Sequence, residues 1–186
     1  MSTKRVLKLW EKDQVNEEDA AILRKTSDDL VVPFDQTAKA QIKDLMRAFL
    51  VRNDALGLAA PQIGINKRII IFRNKNFDDP DWTKDEKDYE VLVNPRISQA
   101  RGEQIAGSEG CLSCPDIRVE ILRYPEIKVR AYNINGEKIS KRYTDFLARI
   151  VQHEIDHLEG KLIIDYEGNY FIPKNRQDFF TRLLKE

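Results

Sequence analysis

Both histidines of the chain lie in one short segment, His153-Glu-Ile-Asp-His157. The apolar residues around them recur with helical spacing, and side chains four positions apart on a helix share one face. Two imidazoles placed in this way can reach the same metal ion, at about 2.1 Å from each nitrogen. Glu154 is offset from the two rings, as a general base acting on water at the metal's open position must be. The segment therefore predicts a metal-dependent hydrolytic site.

Two histidines do not complete such a site, so a third ligand must come from elsewhere in the chain. Downstream carboxylates and the only two thiols of the chain are the candidates, because both donor types bind divalent ions and a thiolate suits a borderline-soft one. These candidates are Glu159, Asp165, Glu167, Cys111 and Cys114. Residue types alone leave the choice between them open.

Two other functions fit the same residues. A zinc peptidase would combine His153 and His157 with a downstream carboxylate. A structural Cys2His2 zinc module would use Cys111 and Cys114 together with both histidines, but the segment between Cys114 and His153 is far longer than the dozen or so residues of a zinc finger. A closed structural site would also leave Glu154 without a role.

Length and composition exclude several classes of protein. The 186 residues carry 31 Lys and Arg against 31 Asp and Glu, so the chain lacks the excess positive charge typical of specific nucleic-acid binding. Two cysteines are too few for a secreted disulfide framework. The longest wholly aliphatic or aromatic run, Ile69 to Phe72, is too short to span a membrane. No signal or transit segment is evident, so we expect one cytoplasmic domain over residues 1–186.

The order of predicted elements is helix, strands, helix, which favours an α+β fold with mainly antiparallel sheets packed around a central metal-binding helix and a C-terminal helix. An Asn135-Gly136 pair predicts a hairpin turn. The acidic segment 74–89 predicts a solvated surface loop. The predicted helices span residues 17–24, 35 or 37 to about 53, 144–158 and 174–185, and the predicted strands 68–73, 90–94, 117–122 and 127–132.

Three separated segments resemble, in order and spacing, the signature motifs of the peptide deformylases. They are Gly57-Leu-Ala-Ala-Pro-Gln-Ile-Gly64, Glu109-Gly-Cys-Leu-Ser113 and Gln152-His-Glu-Ile-Asp-His-Leu-Glu-Gly160. The resemblance extends from about Ile22 to the C-terminus. It implies a single catalytic domain that removes the formyl group from N-terminal formyl-methionine of nascent polypeptides and releases formate. One position departs from the family pattern: Ala55 stands where the first motif usually opens with glycine.

The resemblance also implies a role for each matching residue. Cys111 would be the third ligand beside His153 and His157, for one divalent ion that is natively Fe(II) and replaceable by Zn, Ni or Co. Glu154 would take a proton from water and return it to the departing amine. The Gln62 amide and the Leu112 backbone N–H would be the oxyanion donors. The peptide would pair with main chain near Leu56, Gly57 and Gly110, and Leu56, Ile150 and the His153 ring would form the methionine pocket. Glu109 and Arg123 would form an ion pair that supports the metal ligands.

The implied partners follow from that activity. The substrates would be N-formyl-Met peptides of nascent chains met at the ribosome, and the resemblance is compatible with a monomer or weak dimer. No membrane and no specific nucleic acid is expected as a partner.

Overall fold

The computed structural model of the chain describes residues 3–75, 77–79 and 85–184. Within them, the strands are β1 (Trp10–Glu11), β2 (Gln14–Val15), β3 (Gly57–Ala59), β4 (Ile69–Arg73), β5 (Tyr89–Arg101), β6 (Ile105–Cys111), β7 (Cys114–Arg123), β8 (Glu126–Tyr132), β9 (Lys138–Thr144) and β10 (Tyr170–Phe171). The α-helices are α1 (Glu17–Leu23), α2 (Gln36–Leu50), α3 (Asp145–Leu158) and α4 (Gln177–Leu183). Short 3-10 helices span Ala60–Ile63, Ile163–Asp165 and Lys174–Arg176.

Two antiparallel sheets flank the central helix. A five-stranded sheet has the order β3-β4-β5-β8-β9, and a three-stranded sheet has the order β10-β7-β6. Helix α3 packs against β3, β4 and β9 of the larger sheet. Its Arg149 side chain bonds to the backbone of β6 and β7 in the smaller one. The predicted fold class, α+β with antiparallel sheets around this helix and a helix at the C-terminus, is confirmed.

The five-stranded sheet is covered on both faces. All five residues of β4 are buried, as expected for a strand with packing on both sides. Helix α2 covers one face with the stripe of apolar residues that the sequence predicts. It begins after Asp35, whose side chain accepts a hydrogen bond from the Ala38 N–H at 2.7 Å. It ends at Leu50 rather than near Asn53, whose carbonyl instead accepts a hydrogen bond from Arg73 at 2.6 Å.

Helix α3 agrees closely with its prediction. Thr144 precedes it in extended conformation, and Gly160 follows its last turn with φ +70°, which glycine adopts without steric cost. The Asn135-Gly136 hairpin also forms, between β8 and β9. Its turn is wider than a two-residue loop, because Asn133 N–H donates to the Glu137 carbonyl at 3.0 Å, and of the two turn residues only Gly136 has a positive φ.

Strand β6 was not predicted from the sequence. Ile105–Cys111 contains two glycines and a serine, a composition that does not favour strands. The segment is extended because it pairs along its whole length with β7, from Ile105 opposite Arg123 to Cys111 opposite Cys114. Tertiary pairing here overrides local propensity.

The two ends of the chain pack on each other. Residues 174–185 were predicted as one helix, but a 3-10 turn at Lys174–Arg176 precedes α4, and Lys185 lies outside the described residues. Phe179 and Phe180 meet the fully buried Trp10 edge to face, with ring centroids 6.1 and 5.2 Å away. These rings belong to the core beside the three-stranded sheet.

The acidic segment 74–89 is only partly solvated. Phe77 packs edge to face on Phe146 of α3, with centroids 5.1 Å apart, and the buried Asp88 pairs with Lys75 at 2.6 Å. Residues 76 and 80–84, which belong to the same predicted loop, lie outside the described residues.

Across the described part of the chain, no helix combines the length and apolar character that crossing a bilayer requires.

Candidate metal centre

Helix α3 and the end of β6 bring three donor side chains together. His153 and His157 lie one turn apart with ring centroids at 5.1 Å. Cys111, the last residue of β6, places its Sγ 3.3 Å from Nε2 of His157. One ligand atom from each of these three residues lies within 4.8 Å of the other two. This spacing allows all three to bind one ion.

The other candidate ligands lie elsewhere. Glu159 pairs with Arg68 at 2.7 Å, and Asp165 forms an ion pair with Arg24. Glu167 and Cys114 are not members of the cluster formed by the described residues. Because the cluster found among the described residues contains neither Cys114 nor a downstream carboxylate, a four-ligand Cys2His2 site and a site completed by such a carboxylate both lack their geometry. Cys114 is 1% exposed and packs in the core.

The donor set fits a divalent transition metal. A hydrogen bond from the Cys114 thiol and the neighbouring charge of His157 lower the pKa of Cys111 well below its ordinary value. The thiolate is the form that binds metals. One thiolate and two imidazoles suit borderline-soft ions such as Fe(II), Co(II), Ni(II) and Zn(II).

Glu154 is buried beside the three donors. Its side chain extends from α3 towards β3, and Oε2 has no hydrogen-bond partner among the described residues. Burial raises the pKa of Glu154 to about 7, against the opposing influence of the two histidines. A carboxyl group with such a pKa can both accept and donate a proton near neutral pH.

A second carboxylate, Glu109, orients one of the rings. Its Oε2 lies 2.9 Å from Nδ1 of His153, which leaves Nε2 of that ring free for an ion. Arg123 donates two hydrogen bonds to Glu109, both at 2.9 Å, and Arg149 donates a third at 2.8 Å. Although burial opposes it, the hydrogen bonds from His153 and Arg123 lower the pKa of Glu109 to about 2.

Arg123 is itself held by an acid and a phenol. Its Nη1 donates to Asp156 at 2.6 Å and to the Tyr166 hydroxyl at 2.8 Å. The Tyr166 hydroxyl donates in turn to Asp156 at 2.6 Å. The pairing of Glu109 with Arg123 that the sequence predicts is therefore present and almost fully buried.

Gln62 presents its amide N–H to the same region. Its Oε1 accepts a hydrogen bond from the Ala59 N–H at 2.8 Å, which fixes the amide at the start of the 3-10 helix. Nε2 donates to the Ser113 hydroxyl at 3.1 Å and lies 3.8 Å from the Cys111 sulfur. Leu112 occupies the turn between Cys111 and Cys114, where the strands β6 and β7 join.

A cavity of about 540 Å³ opens beside these groups. Most of the predicted site residues line it, namely Leu56, Gly57, Gln62, Glu109, Gly110, Cys111, Leu112, Ile150, His153 and Glu154. Ala55, where the family motif has glycine, also lines it and is otherwise buried in the core. His157 and Arg123 lie behind the lining. The sequence analysis missed Phe146 and Arg149, although an arginine on the buried face of an apolar helix was a visible signal.

Comparison with known proteins gives consistent matches. A family model described as polypeptide deformylase matches residues 13–170. "Peptide deformylase 1" of Rickettsia conorii is 37% identical over 166 residues, which cover 88% of this chain and 89% of the relative. The peptide deformylase of Pseudothermotoga lettingae is 37% identical over 165 residues, with 89% and 85% covered.

Solved structures agree. A peptide deformylase crystal structure from Thermotoga maritima superposes with a TM-score of 0.73 at 32% identity, covering 91% of this chain and all of that one. A class I type b peptide deformylase from Acinetobacter baumannii bound to Met-Ala-Ser has a TM-score of 0.70 at 33% identity and covers 88% of this chain and 98% of that one.

Proposed function

The chain belongs to the peptide deformylase family, metal enzymes that remove the N-formyl group of formyl-Met peptides, and on that premise we propose that Cys111, His153 and His157 hold its divalent ion. The observation that carries the proposal is the meeting of these three donors within 4.8 Å beside the buried carboxylate of Glu154. We propose Fe(II) as the native ion, replaceable by Zn, Ni or Co, because one thiolate and two imidazoles suit all four. The bound ion supplies Lewis-acid chemistry, which polarises a carbonyl oxygen and makes water a stronger nucleophile at neutral pH.

Glu154 carries out the proton transfers in the proposed reaction. Its carboxylate takes a proton from the attacking water, whose oxygen forms a bond to the formyl carbon. When the C–N bond breaks, Glu154 returns the proton to the departing amine, and formate leaves. A pKa of about 7 suits both transfers, and the buried position of Glu154 excludes competing bulk water.

Two donors stabilise the negative charge that develops on the formyl oxygen. The Nε2 of Gln62 is one, because the Ala59 N–H holds the opposite end of its amide and so directs Nε2 towards Cys111. The backbone N–H of Leu112, in the neighbouring turn, is the other. One such preorganised donor typically contributes about 2.7–4 kcal/mol to lowering the barrier.

The peptide substrate binds in extended form between two strand edges. Strands β3 and β6 stand at the ends of their sheets in the described topology, and Gly57 and Gly110 on these strands line the cavity. Pairing with main chain accepts many sequences after the first residue. Leu56, Ile150 and the ring of His153 form the apolar pocket for methionine. The Acinetobacter baumannii relative was solved with Met-Ala-Ser bound, which supports a peptide as the ligand.

We further propose that Glu109 and Arg123 keep His153 oriented, as their buried hydrogen bonds suggest. The 186 residues form one catalytic domain, which acts in the cytoplasm as a monomer or weak dimer. It meets formyl-Met N-termini as nascent chains emerge from the ribosome, because that is where such termini arise.

Formate release and metal analysis test the proposal together. The protein should release formate from a formyl-Met dipeptide and act little on acetyl-Met, and it should contain one metal ion per chain. Cys111→Ser should lose tightly bound metal and activity, whereas Cys114→Ala should retain both. Equal cleavage of the two substrates, or full metal content in Cys111→Ser, would contradict it.

A further inference from the structure

Arg149 connects the central helix to the smaller sheet. Four acceptors lie within hydrogen-bond distance of its guanidinium, namely the backbone carbonyls of Ile105 (2.6 Å), Ile121 (2.8 Å) and Gly107 (3.3 Å) and Oε1 of Glu109 (2.8 Å). The side chain is only 13% exposed. A buried guanidinium with this many fixed partners has one available position.

The contact with Glu109 leads directly to a metal ligand. Arg149 lies one helical turn before His153, so both side chains reach Glu109 from the same face of α3. Arg149 binds Oε1 of the carboxylate, and His153 Nδ1 meets Oε2 at 2.9 Å. Arg123 approaches the same carboxylate from β7. Arg123 reaches α3 through its hydrogen bond to Asp156, whereas Arg149 is itself a residue of α3 and joins the carboxylate and the backbone of β6 directly to the helix that carries the histidines.

Gly107 provides the space for this guanidinium. A Cβ at Gly107 would lie 2.7 Å from Cζ of Arg149 and 2.8 Å from its Nη2, closer than such atoms approach. The backbone of Gly107 has no positive φ in the structure, so conformational freedom does not explain the glycine. The guanidinium of Arg149, packed against Gly107, explains why this position carries no side chain.

We propose that Arg149 is a positioning residue of the enzyme, which acts through Glu109 to fix the ring of His153, and that Gly107 is required to admit it. The inference rests on the proposed metal site. It adds to that site the pair formed by Arg149 on α3 and Gly107 on β6. This pair determines how rigidly α3 and β6 hold the metal ligands in position.

The test measures Co(II) binding and turnover in matched variants. Arg149→Met should raise the dissociation constant for Co(II) about 10-fold or more and lower kcat by a similar factor, since removing groups that orient metal ligands typically costs 10–100-fold. KM for a formyl-Met peptide should change less than about threefold. A change confined to KM would show Arg149 to be only a pocket wall and would overturn the proposal.

Arg118→Met is the matched control. Arg118 also lines the cavity, but its guanidinium donates to the hydroxyl and carbonyl of Ser108, both at 2.9 Å, and not to Glu109. We expect it to leave Co(II) affinity and the visible spectrum of bound Co(II) unchanged, whereas Arg149→Met should shift the spectrum. A purely structural role for Arg149 would lower the melting temperature without moving the spectrum.

A double mutant tests the coupling of the pair. Gly107→Ala should weaken Co(II) binding in the wild-type background, because the methyl displaces the guanidinium. It should add little to Arg149→Met, where no guanidinium remains to be displaced. Fully additive effects would contradict the coupling. If Arg149→Met does not fold, Gly107→Ala and Arg149→Lys carry the test alone. We expect Arg149→Lys to retain part of the Co(II) affinity.

The wild-type protein separates this inference from the function it rests on. If wild-type protein binds no Co(II) and releases no formate, the proposed function fails. If wild-type protein does both and Arg149→Met equals it in Co(II) affinity and kcat, only the role of Arg149 fails.

Discussion

The carboxylate of Glu154 lies against the α-carbon of Gly57, so closely that a methyl group at Gly57 would stand 2.2 Å from Oε1. The contact joins α3 to β3, at the edge of the five-stranded sheet. The contact confines the buried carboxylate of Glu154 to one position, beside the cluster of Cys111, His153 and His157. Gly57 thus serves two purposes, since its main chain also borders the cavity in which a peptide would pair.

Gly57→Ala is expected to displace Glu154 without removing it. The added methyl cannot coexist with Oε1, so the carboxylate must turn away from the cavity. We expect kcat to fall by about 100-fold, the lower range for loss of a general base, with one metal ion still bound per chain. Steady-state formate release and metal analysis check this. Unchanged kcat would show that Glu154 is not confined by Gly57.

Glu154→Gln should separate catalysis from metal binding. The amide has nearly the shape of the carboxylate but cannot accept the proton, so turnover should fall by about 10²–10⁴-fold. Because Glu154 is not among the three clustered donors, metal content should stay at the wild-type level. Single-turnover formate release with parallel metal analysis provides the measurement. Loss of metal together with activity would assign Glu154 to the ligands instead.

Gln62→Leu should lower kcat by about 100- to 1,000-fold, the effect of losing one oxyanion donor. The variant also leaves the Ala59 N–H without its acceptor, so a decrease in stability of about 1 kcal/mol is expected. Ser113→Ala is the control, because it removes a partner of Nε2 but keeps the amide. Equal loss of kcat in both variants would point to disruption of the turn rather than loss of the donor.

Acid should weaken the attachment of the N-terminal segment. Arg5 donates two hydrogen bonds to Asp19, at 2.6 and 2.7 Å, and the Lys8 N–H donates a third at 2.9 Å. The hydrogen bonds from Arg5 lower the pKa of Asp19 below its ordinary value. A carboxyl whose pKa is lower in the folded than in the unfolded state stabilises the fold above the unfolded pKa, and this contribution disappears as pH falls through the folded one.

Asp19→Asn should therefore remove part of the acid sensitivity. Urea unfolding at pH 7 should show the variant less stable than the wild type, and the difference should shrink as pH falls below about 4, the ordinary pKa of an aspartate. A difference that stays constant from pH 7 to 3 would mean that ionised Asp19 does not contribute.

Sequence reasoning was most successful where local pattern and tertiary packing agree. Helix α3 combines an apolar stripe, an N-terminal threonine and a stop at Gly160, and its bounds were predicted almost to the residue. The third ligand was different. Residue types left Cys111, Cys114 and the downstream carboxylates open as the third ligand, because the contact of Cys111 with His157 joins β6 to α3 across 46 residues of sequence.

The missed features have a common physical cause. Strand β6 contains few strand-forming residues, and two of its positions are glycines, of which Gly107 lies against the guanidinium of Arg149 and Gly110 borders the cavity. Arg149 itself was overlooked because a charged residue on a helix is usually solvated. Strand β6 and Arg149 both support the metal ligands. In such regions long-range contacts decide the conformation, even against the local conformational preference of the sequence.

X-ray absorption at the edge of the bound metal counts the donor atoms around the ion without reference to turnover. We expect one sulfur at about 2.3 Å and two imidazole nitrogens at about 2.1 Å around the ion. The same spectrum should be obtained from Cys114→Ala. Two sulfur ligands, or none, would contradict the assignment of Cys111, His153 and His157 as the protein ligands of a single ion.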